Sequence, residues 1–183
     1  INNHLTSQGK AGIIVPDGVA FKTDKAFTSV RKDLLDNSLW GIISLPGGVF
    51  QPYAGVSTYI LLLDKKIAKE NSRIIMVELN NDGYSLTTNR TPISGNEIPF
   101  LTELLLKYKK GENIELHDNV IIVDKEIIAS KKYDFRFSVY KEKKSIEYNF
   151  RSVKEIFEDI KNLDDEYQTR YNELKELLWD QKD

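Results

Sequence analysis

The chain has no cysteine, which removes disulfides, thiolate nucleophiles and Cys-ligated zinc together. It has two histidines, His4 and His117, far apart in the sequence, and this points away from a His-based metal site. It has little excess charge of either sign: 26 Lys and Arg against 28 Asp and Glu leave a net charge of -2, so neither a DNA-coating protein nor an acidic chaperone is expected. Any nucleic-acid contact has to be local. Long apolar runs are missing as well. The longest, Tyr59-Ile60-Leu61-Leu62-Leu63, falls far short of the roughly 20 residues that span a bilayer. The amino end, Ile1-Asn2-Asn3-His4-Leu5, carries no initiator Met, basic leader or small-residue cleavage site, so the chain is expected to be a piece of a longer protein that works in the cytoplasm, away from membranes.

What is present is a globular composition, 40% hydrophobic and 30% charged over 183 residues, enough for one or two domains. Charge divides unevenly. Residues 1–111 hold 13 basic and 10 acidic side chains, and residues 112–183 hold 13 and 18, giving +3 and -5. The first part alternates short apolar runs with amphipathic stretches, the pattern of an α/β unit. Ala11-Gly12-Ile13-Ile14-Val15 reads as a buried strand closed by a Pro16-Asp17-Gly18 turn. Thr23 or Asp24 is placed to cap a helix whose apolar positions Phe27, Val30, Leu34 and Leu35 share one face and which ends near Asn37.

Leu39 to Leu45 is the next strand, and Ser57 to Leu63 pairs with it as a hairpin across a long tip that contains Gly47, Gly48, Phe50, Pro52, Tyr53 and Gly55. A tip of that length inside a compact domain is more often functional than accidental. Arg73 to Leu79 continues the sheet and ends in the Asn80-Asn81-Asp82-Gly83 turn. Residues 86–99 form a loop, after which Pro99 opens a helix carrying Leu101, Leu104, Leu105 and Tyr108 and closed by Gly111. Asp124 is placed to cap a short helix through Lys131, followed by the aromatic segment Tyr133-Asp134-Phe135-Arg136-Phe137. From Ser152 the spacing becomes heptad-like: Val153, Ile156, Ile160, Leu163, Tyr167, Leu174 and Leu177 form an apolar seam broken at Arg170, as in one long helix. So narrow a stripe implies a helical partner, folded back from this chain or supplied by another protein.

Two stretches carry a family resemblance. Gly9-Lys10-Ala11-Gly12-Ile13-Ile14-Val15-Pro16-Asp17-Gly18-Val19-Ala20-Phe21 is followed by Leu45-Pro46-Gly47-Gly48-Val49-Phe50-Gln51-Pro52-Tyr53-Ala54-Gly55-Val56-Ser57-Thr58. Together they resemble the modification subunit of type I restriction-modification systems, which are S-adenosylmethionine-dependent N6-adenine DNA methyltransferases. The resemblance continues through Ile60 to Lys65, the Asp82-Gly83-Tyr84-Ser85-Leu86 turn, and Val123 to Tyr140. It implies the carboxy-terminal part of a Rossmann-like methyltransferase sheet at 1–111, a connecting segment with a short helix at 112–151, and a long assembly helix at 152–183. It also implies partners: DNA, a specificity subunit, a restriction subunit and a second modification subunit. The family's glycine-rich cofactor loop and its Asn-Pro-Pro-aromatic motif are missing here. The five prolines, at 16, 46, 52, 92 and 99, are never adjacent, so no catalytic residue is assigned and the chain alone is expected to be inactive and to hold no cofactor.

The residues assigned to the target base are Phe50, Tyr53 and Asp17. Enzymes that modify a base flip it out of the duplex and hold it between aromatic or apolar surfaces, and glycines 47, 48 and 55 would let backbone approach a nucleotide. The competing reading has Phe50 and Tyr53 plugging the end of the hairpin and Asp17 simply forming a turn. Thr58 is expected to support the loop by hydrogen bonding its backbone. Lys22, Lys25, Arg31 and Lys32 form a basic run, read either as a phosphate contact or as a solvated helix face. Two functions therefore compete: part of an adenine methyltransferase, or an α/β interaction module with no chemistry of its own.

Overall fold

The computed structural model describes residues 2–141 and 151–179. They fall into two units, Ile1–Glu142 and Lys143–Asp183, each described below by itself. The last part of the segment expected to connect them, residues 142–150, lies outside the described residues.

The first unit is built on five strands, β1 (Lys10–Pro16), β2 (Leu39–Leu45), β3 (Thr58–Asp64), β4 (Arg73–Glu78) and β5 (Val120–Asp124), in the order β1-β3-β2-β4-β5. β3 is antiparallel to both β1 and β2, β2 is parallel to β4, and β5 is antiparallel to β4. β1, β2 and β4 therefore point the same way, and their carboxyl ends meet one edge of the sheet. The helices are α1 (Asp17–Phe21), α2 (Lys25–Asn37), α3 (Lys65–Glu70), α4 (Ile98–Lys109) and α5 (Lys125–Ser130).

Both faces of the three inner strands, β3, β2 and β4, are covered, which is why those strands read as near-continuous apolar runs. On one face Ile42, Tyr59, Leu61, Leu63, Ile74 and Met76 pack against Ala20 of α1, Leu34 and Leu35 of α2, Ile128 of α5, and Phe135 and Phe137. On the other, Ile75 and Val77 pack with Trp40, Ile67 of α3 and Leu101, Leu104 and Leu105 of α4. A register shift between Leu39 and Gly41 turns Trp40 to the second face, where it stacks on Tyr108. Space at Gly41 is tight: a Cβ there would lie 3.2 Å from Leu62 Cδ1 and 3.3 Å from Ile75 Cγ2, so both side chains would have to give by a few tenths of an ångström.

The expected hairpin, the strand from Arg73, the helix after Pro99 and the glycine stop at 111 all form, with Gly111 at φ +74°. Other expectations change. Pro16-Asp17-Gly18 is not a turn: β1 passes directly into α1, because Pro16 holds an extended φ and Asp17 suits the first turn of a helix. β1 is not a buried strand; it is the outer strand beside β3, with alternate residues exposed. Asp24 and Asp124 stand at the caps of α2 and α5 without making a side-chain cap bond. The strand β5 gives no periodic signal in the sequence, since Val120-Ile-Ile-Val is too short and too uniformly apolar, and it places part of the expected connecting segment inside the sheet.

The largest departure is Arg31. The face of α2 that is buried contains Arg31 with Leu34 and Leu35, whereas Val30 is exposed. Arg31 is 1% exposed, so it is neither a phosphate contact nor part of a solvated face. Its Nε donates to Tyr133 O at 2.6 Å, and its terminal nitrogens donate to Val19 O at 2.8 Å and Lys22 O at 2.9 Å. Burial lowers its pKa, opposed by Asp134 and Tyr140. The anchored Tyr133 and its neighbour Lys132 both sit at φ 57°, a left-handed conformation unfavourable for side-chain-bearing residues, so this turn depends on outside support.

In the second unit, α6 (Val153–Trp179) is about 40 Å long. It opens with a reciprocal capping box: Ser152 Oγ accepts from the Glu155 amide at 3.2 Å, and Glu155 Oε2 accepts from the Ser152 amide at 2.8 Å. Arg151 pairs with Asp159 and Arg170 with Glu166 along its surface. No residue of α6 is buried, and the seam residues from Val153 to Leu177 are exposed.

Arg31→Met keeps much of the aliphatic bulk but strips three carbonyls of their donor. At about 1–3 kcal/mol for each unsatisfied group, it should cost roughly 3 kcal/mol or more of stability. Arg31→Lys, with one head in place of a fork, should recover only part of this. Urea unfolding followed by circular dichroism reads the change, and an unaltered midpoint in both variants would mean that water replaces the guanidinium without loss.

Candidate functional site

The edge formed by the carboxyl ends of β1, β2 and β4 is where open α/β sheets place ligands. Three chain segments meet there: the start of α1, the 46–57 loop between β2 and β3, and the 79–97 loop between β4 and α4.

The 46–57 loop is wound on itself. The Gln51 amide donates to Gly48 O at 3.1 Å, Tyr53 and Ala54 amides both donate to Phe50 O at 2.9 and 3.0 Å, and Phe50 and Ala54 form an isolated bridge. Gly48, at φ +92°, takes a conformation that glycine adopts without strain, and a Cβ there would stand 3.0 Å from Leu86 O of the neighbouring loop. The two aromatic residues separate in role. Phe50 is half-buried against the second core, with Val49, whereas Tyr53 is 95% exposed at the tip of the turn. The structure thus brings both into one turn but presents only Tyr53 to solvent.

Asp17 joins this edge through its amide, which donates to Ser57 O at 3.1 Å and ties α1 to the end of the loop. Next to it, burial pushes the Tyr59 phenol above its ordinary pKa, with the Asp17 and Asp134 charges adding to the shift and Ser44 and Arg136 opposing it. Tyr59 is therefore a neutral group at physiological pH, not a base. Thr58 does not do what its position suggested: its hydroxyl is buried and has no hydrogen-bond partner. The basic run does not assemble into a phosphate site either. Lys32 pairs with Asp36 at 2.6 Å, Lys22 lies over the Phe27 ring and Arg31 is inside the protein.

Sequence reasoning missed Arg90 and Asp82. Arg90 donates to Ser85 O at 3.3 Å, to the Val49 carbonyl and to the Asp82 carboxylate, and its guanidinium lies 5.4 Å from the Tyr84 ring centre. One signal was available: Arg90 is the only charged residue between Asp82 and Glu97. A lone cation in a long uncharged loop has little reason to be there unless it is paired.

Among the described residues no group of three His, Cys, Asp or Glu could hold a metal ion, and no helix is long and apolar enough to cross a membrane. Three described strands pass straight into helices, β1 into α1, β3 into α3 and β5 into α5, and these junctions have no intervening residue to form an S-adenosylmethionine cradle. The acid at the second turn, Asp64, already accepts from the Lys66 and Ile67 amides and pairs with Lys109 at 3.2 Å. What this edge offers is a shaped platform with an aromatic tip.

The chain has known relatives. The methylase subunit of the type I restriction enzyme EcoKI from Escherichia coli K12 is 35% identical over 104 residues, 56% of this chain and 19% of that subunit. The EcoEI methylase subunit from Escherichia coli is 39% identical over 62 residues, 33% of this chain and 12% of that one. The chain thus corresponds to a minor part of the length of these relatives. A solved chain from the assembly of a type I restriction-modification system matches 96% of this chain and 37% of its own length, at TM-score 0.57 and 27% identity. The methyltransferase subunit of such a system from Streptococcus thermophilus has the same fold over 76% of this chain and 28% of its own, at TM-score 0.59 and 21% identity. The family model for N-6 DNA methylases matches residues 1–149, most of the chain and every strand of the sheet, and the polypeptide belongs to that family.

Proposed function

We propose that this chain is the carboxy-terminal part of a DNA adenine-N6 methyltransferase subunit of a type I restriction-modification system, and that it contributes the target-base loop and a subunit-docking helix. The observation that carries the first role is Tyr53, an aromatic ring left almost wholly in solvent at the tip of a turn whose base is packed into the core. A flipped adenine costs a few kcal/mol to unstack, and an aromatic face returns about 1 to 3 kcal/mol of that. On this reading Tyr53 is the stacking face, Phe50 supports the turn from beneath, and Asp17 holds the loop's far end in place through its backbone.

Neither a methyl donor nor a catalytic side chain is assigned to these residues. S-adenosylmethionine would be held, and the target amino group gripped, by other parts of the longer protein, and the chain alone is inactive. The same reading gives the whole protein DNA as its substrate in the cytoplasm, with specificity, restriction and second modification subunits as its company. The competing reading, a non-catalytic α/β interaction module, has only the missing motifs in its favour. The apolar seam of α6, flanked by Lys and Glu, suits a helical groove, and by family resemblance that groove is the helical spacer of the specificity subunit.

Three outcomes are expected. Calorimetry with this polypeptide should give no saturable heat at micromolar S-adenosylmethionine, whereas a saturable isotherm would return the cofactor site to this chain. In the full-length subunit, Tyr53→Ala should slow methylation with little change in melting temperature, and Phe50→Ala should lower the melting temperature. The reverse pattern would exchange their roles. Ile160→Asp combined with Leu174→Asp puts two charges into the seam, at several kcal/mol if both are buried in a complex, and should abolish co-purification with the specificity subunit. Retention of the complex would withdraw the docking role of α6.

A further inference from the structure

The 79–97 loop is cross-linked by its own hydrogen bonds. Its ends are joined by Asn80 N to Glu97 Oε2 at 2.9 Å and Glu97 N to Asn81 O at 2.9 Å. Its middle is joined by Ser85 N to Thr91 O at 2.9 Å, Ile93 N to Gly83 O at 2.8 Å and a bridge between Tyr84 and Pro92. Asp82, Gly83 and Tyr84 form its corner: Gly83 sits at φ +88°, and the Tyr84 amide donates to Asp82 Oδ1 at 3.1 Å. Arg90 projects from this frame toward the other loop, and its guanidinium is mostly buried together with the carboxylate of Asp82. One face of the fork is fixed by Asp82 and Ser85, and the remaining terminal nitrogen reaches the Val49 carbonyl, one residue before the Phe50–Ala54 turn.

We propose that Arg90, anchored by Asp82, is a positioning residue for target-base capture: it clamps the Val49 carbonyl and so fixes the turn that carries Tyr53. Packing of Val49 and Phe50 and the Asp17 amide hold the loop at its base but make no contact with its exposed tip, and a misplacement of about 1 Å in a reacting complex can cost a hundredfold in rate. The clamp needs arginine, because the contact set of one carboxylate and two carbonyls uses three N–H groups of one planar fork, which an ammonium cannot reproduce. It also accounts for an otherwise unexplained cation, and for the contact at Gly48, where the two loops meet with no room for a side chain. The inference rests on the assignment of the 46–57 loop to the target base.

The test uses the full-length subunit in its assembled complex, with duplex DNA carrying 2-aminopurine in place of the target adenine. Arg90→Ala should lower methylation turnover on ordinary duplex by about a hundredfold, leave the KM for S-adenosylmethionine unchanged, and remove the fluorescence rise that reports the flipped base. Arg90→Lys should fall between the two. Because Arg90 is taken to act through the turn, Arg90→Ala combined with Tyr53→Ala should be no slower than the worse of the two single variants. Full additivity, or a normal rise and turnover in Arg90→Ala, overturns the proposal. Should Arg90→Ala melt below the assay temperature, Asp82→Asn and Arg90→Lys take its place, and normal turnover in both overturns it equally. A silent Tyr53→Ala beside a slowed Arg90→Ala would instead overturn the base-contact reading of Tyr53, with the clamp still acting on the turn.

Discussion

A single buried guanidinium organises one side of the sheet. Arg31 collects carbonyls from the α1 helix, from the residue that ends it and from the Tyr133 turn, so the α1 segment and a turn about a hundred residues further on close around one side chain of α2. Each carbonyl would be costly to bury alone, and the fork serves all three at once. With Tyr133 held, Phe135 and Phe137 reach the first core, and the Phe135 amide meets Ala20 O at 3.0 Å. The left-handed pair Lys132 and Tyr133 is affordable only inside that network.

A second arginine, less deeply buried, works by the same chemistry. Arg90 is partly exposed and joins two loops rather than two core layers, and its anchor is a carboxylate rather than three carbonyls alone. The difference suits what each supports. Arg31 closes the scaffold under α1 and α2, whereas Arg90 holds the 46–57 loop at its root and leaves its tip exposed. Phe50 packed in the core and Tyr53 in solvent, three residues apart, show that division within one turn.

The sheet edge gains its character from strand direction. β1, β2 and β4 come from separate stretches of the chain, yet the antiparallel insertion of β3 between β1 and β2 brings their carboxyl ends together. Hence Asp17, the 46–57 loop and the 79–97 loop are neighbours although up to eighty residues separate them.

The sequence by itself determined the elements whose signals are local: the β2 and β3 hairpin with its long tip, the strand at Arg73, the helix opened by Pro99 and closed by Gly111, and the long amphipathic helix after Ser152. Periodicity and the conformational limits of proline and glycine act within a few residues, so no distant contact is needed to read them. The same holds for the family, legible in the segments around Ala11 to Phe21 and Leu45 to Thr58. Only the tertiary structure decided the rest. Whether Arg31 faces solvent or the core, which of Phe50 and Tyr53 is buried, whether Val120 to Asp124 is a strand, and that Arg90 finds Val49 all depend on partners 9 to 102 positions away. A charged side chain takes the interior only where folding has already gathered acceptors for it, and no window of sequence contains that arrangement.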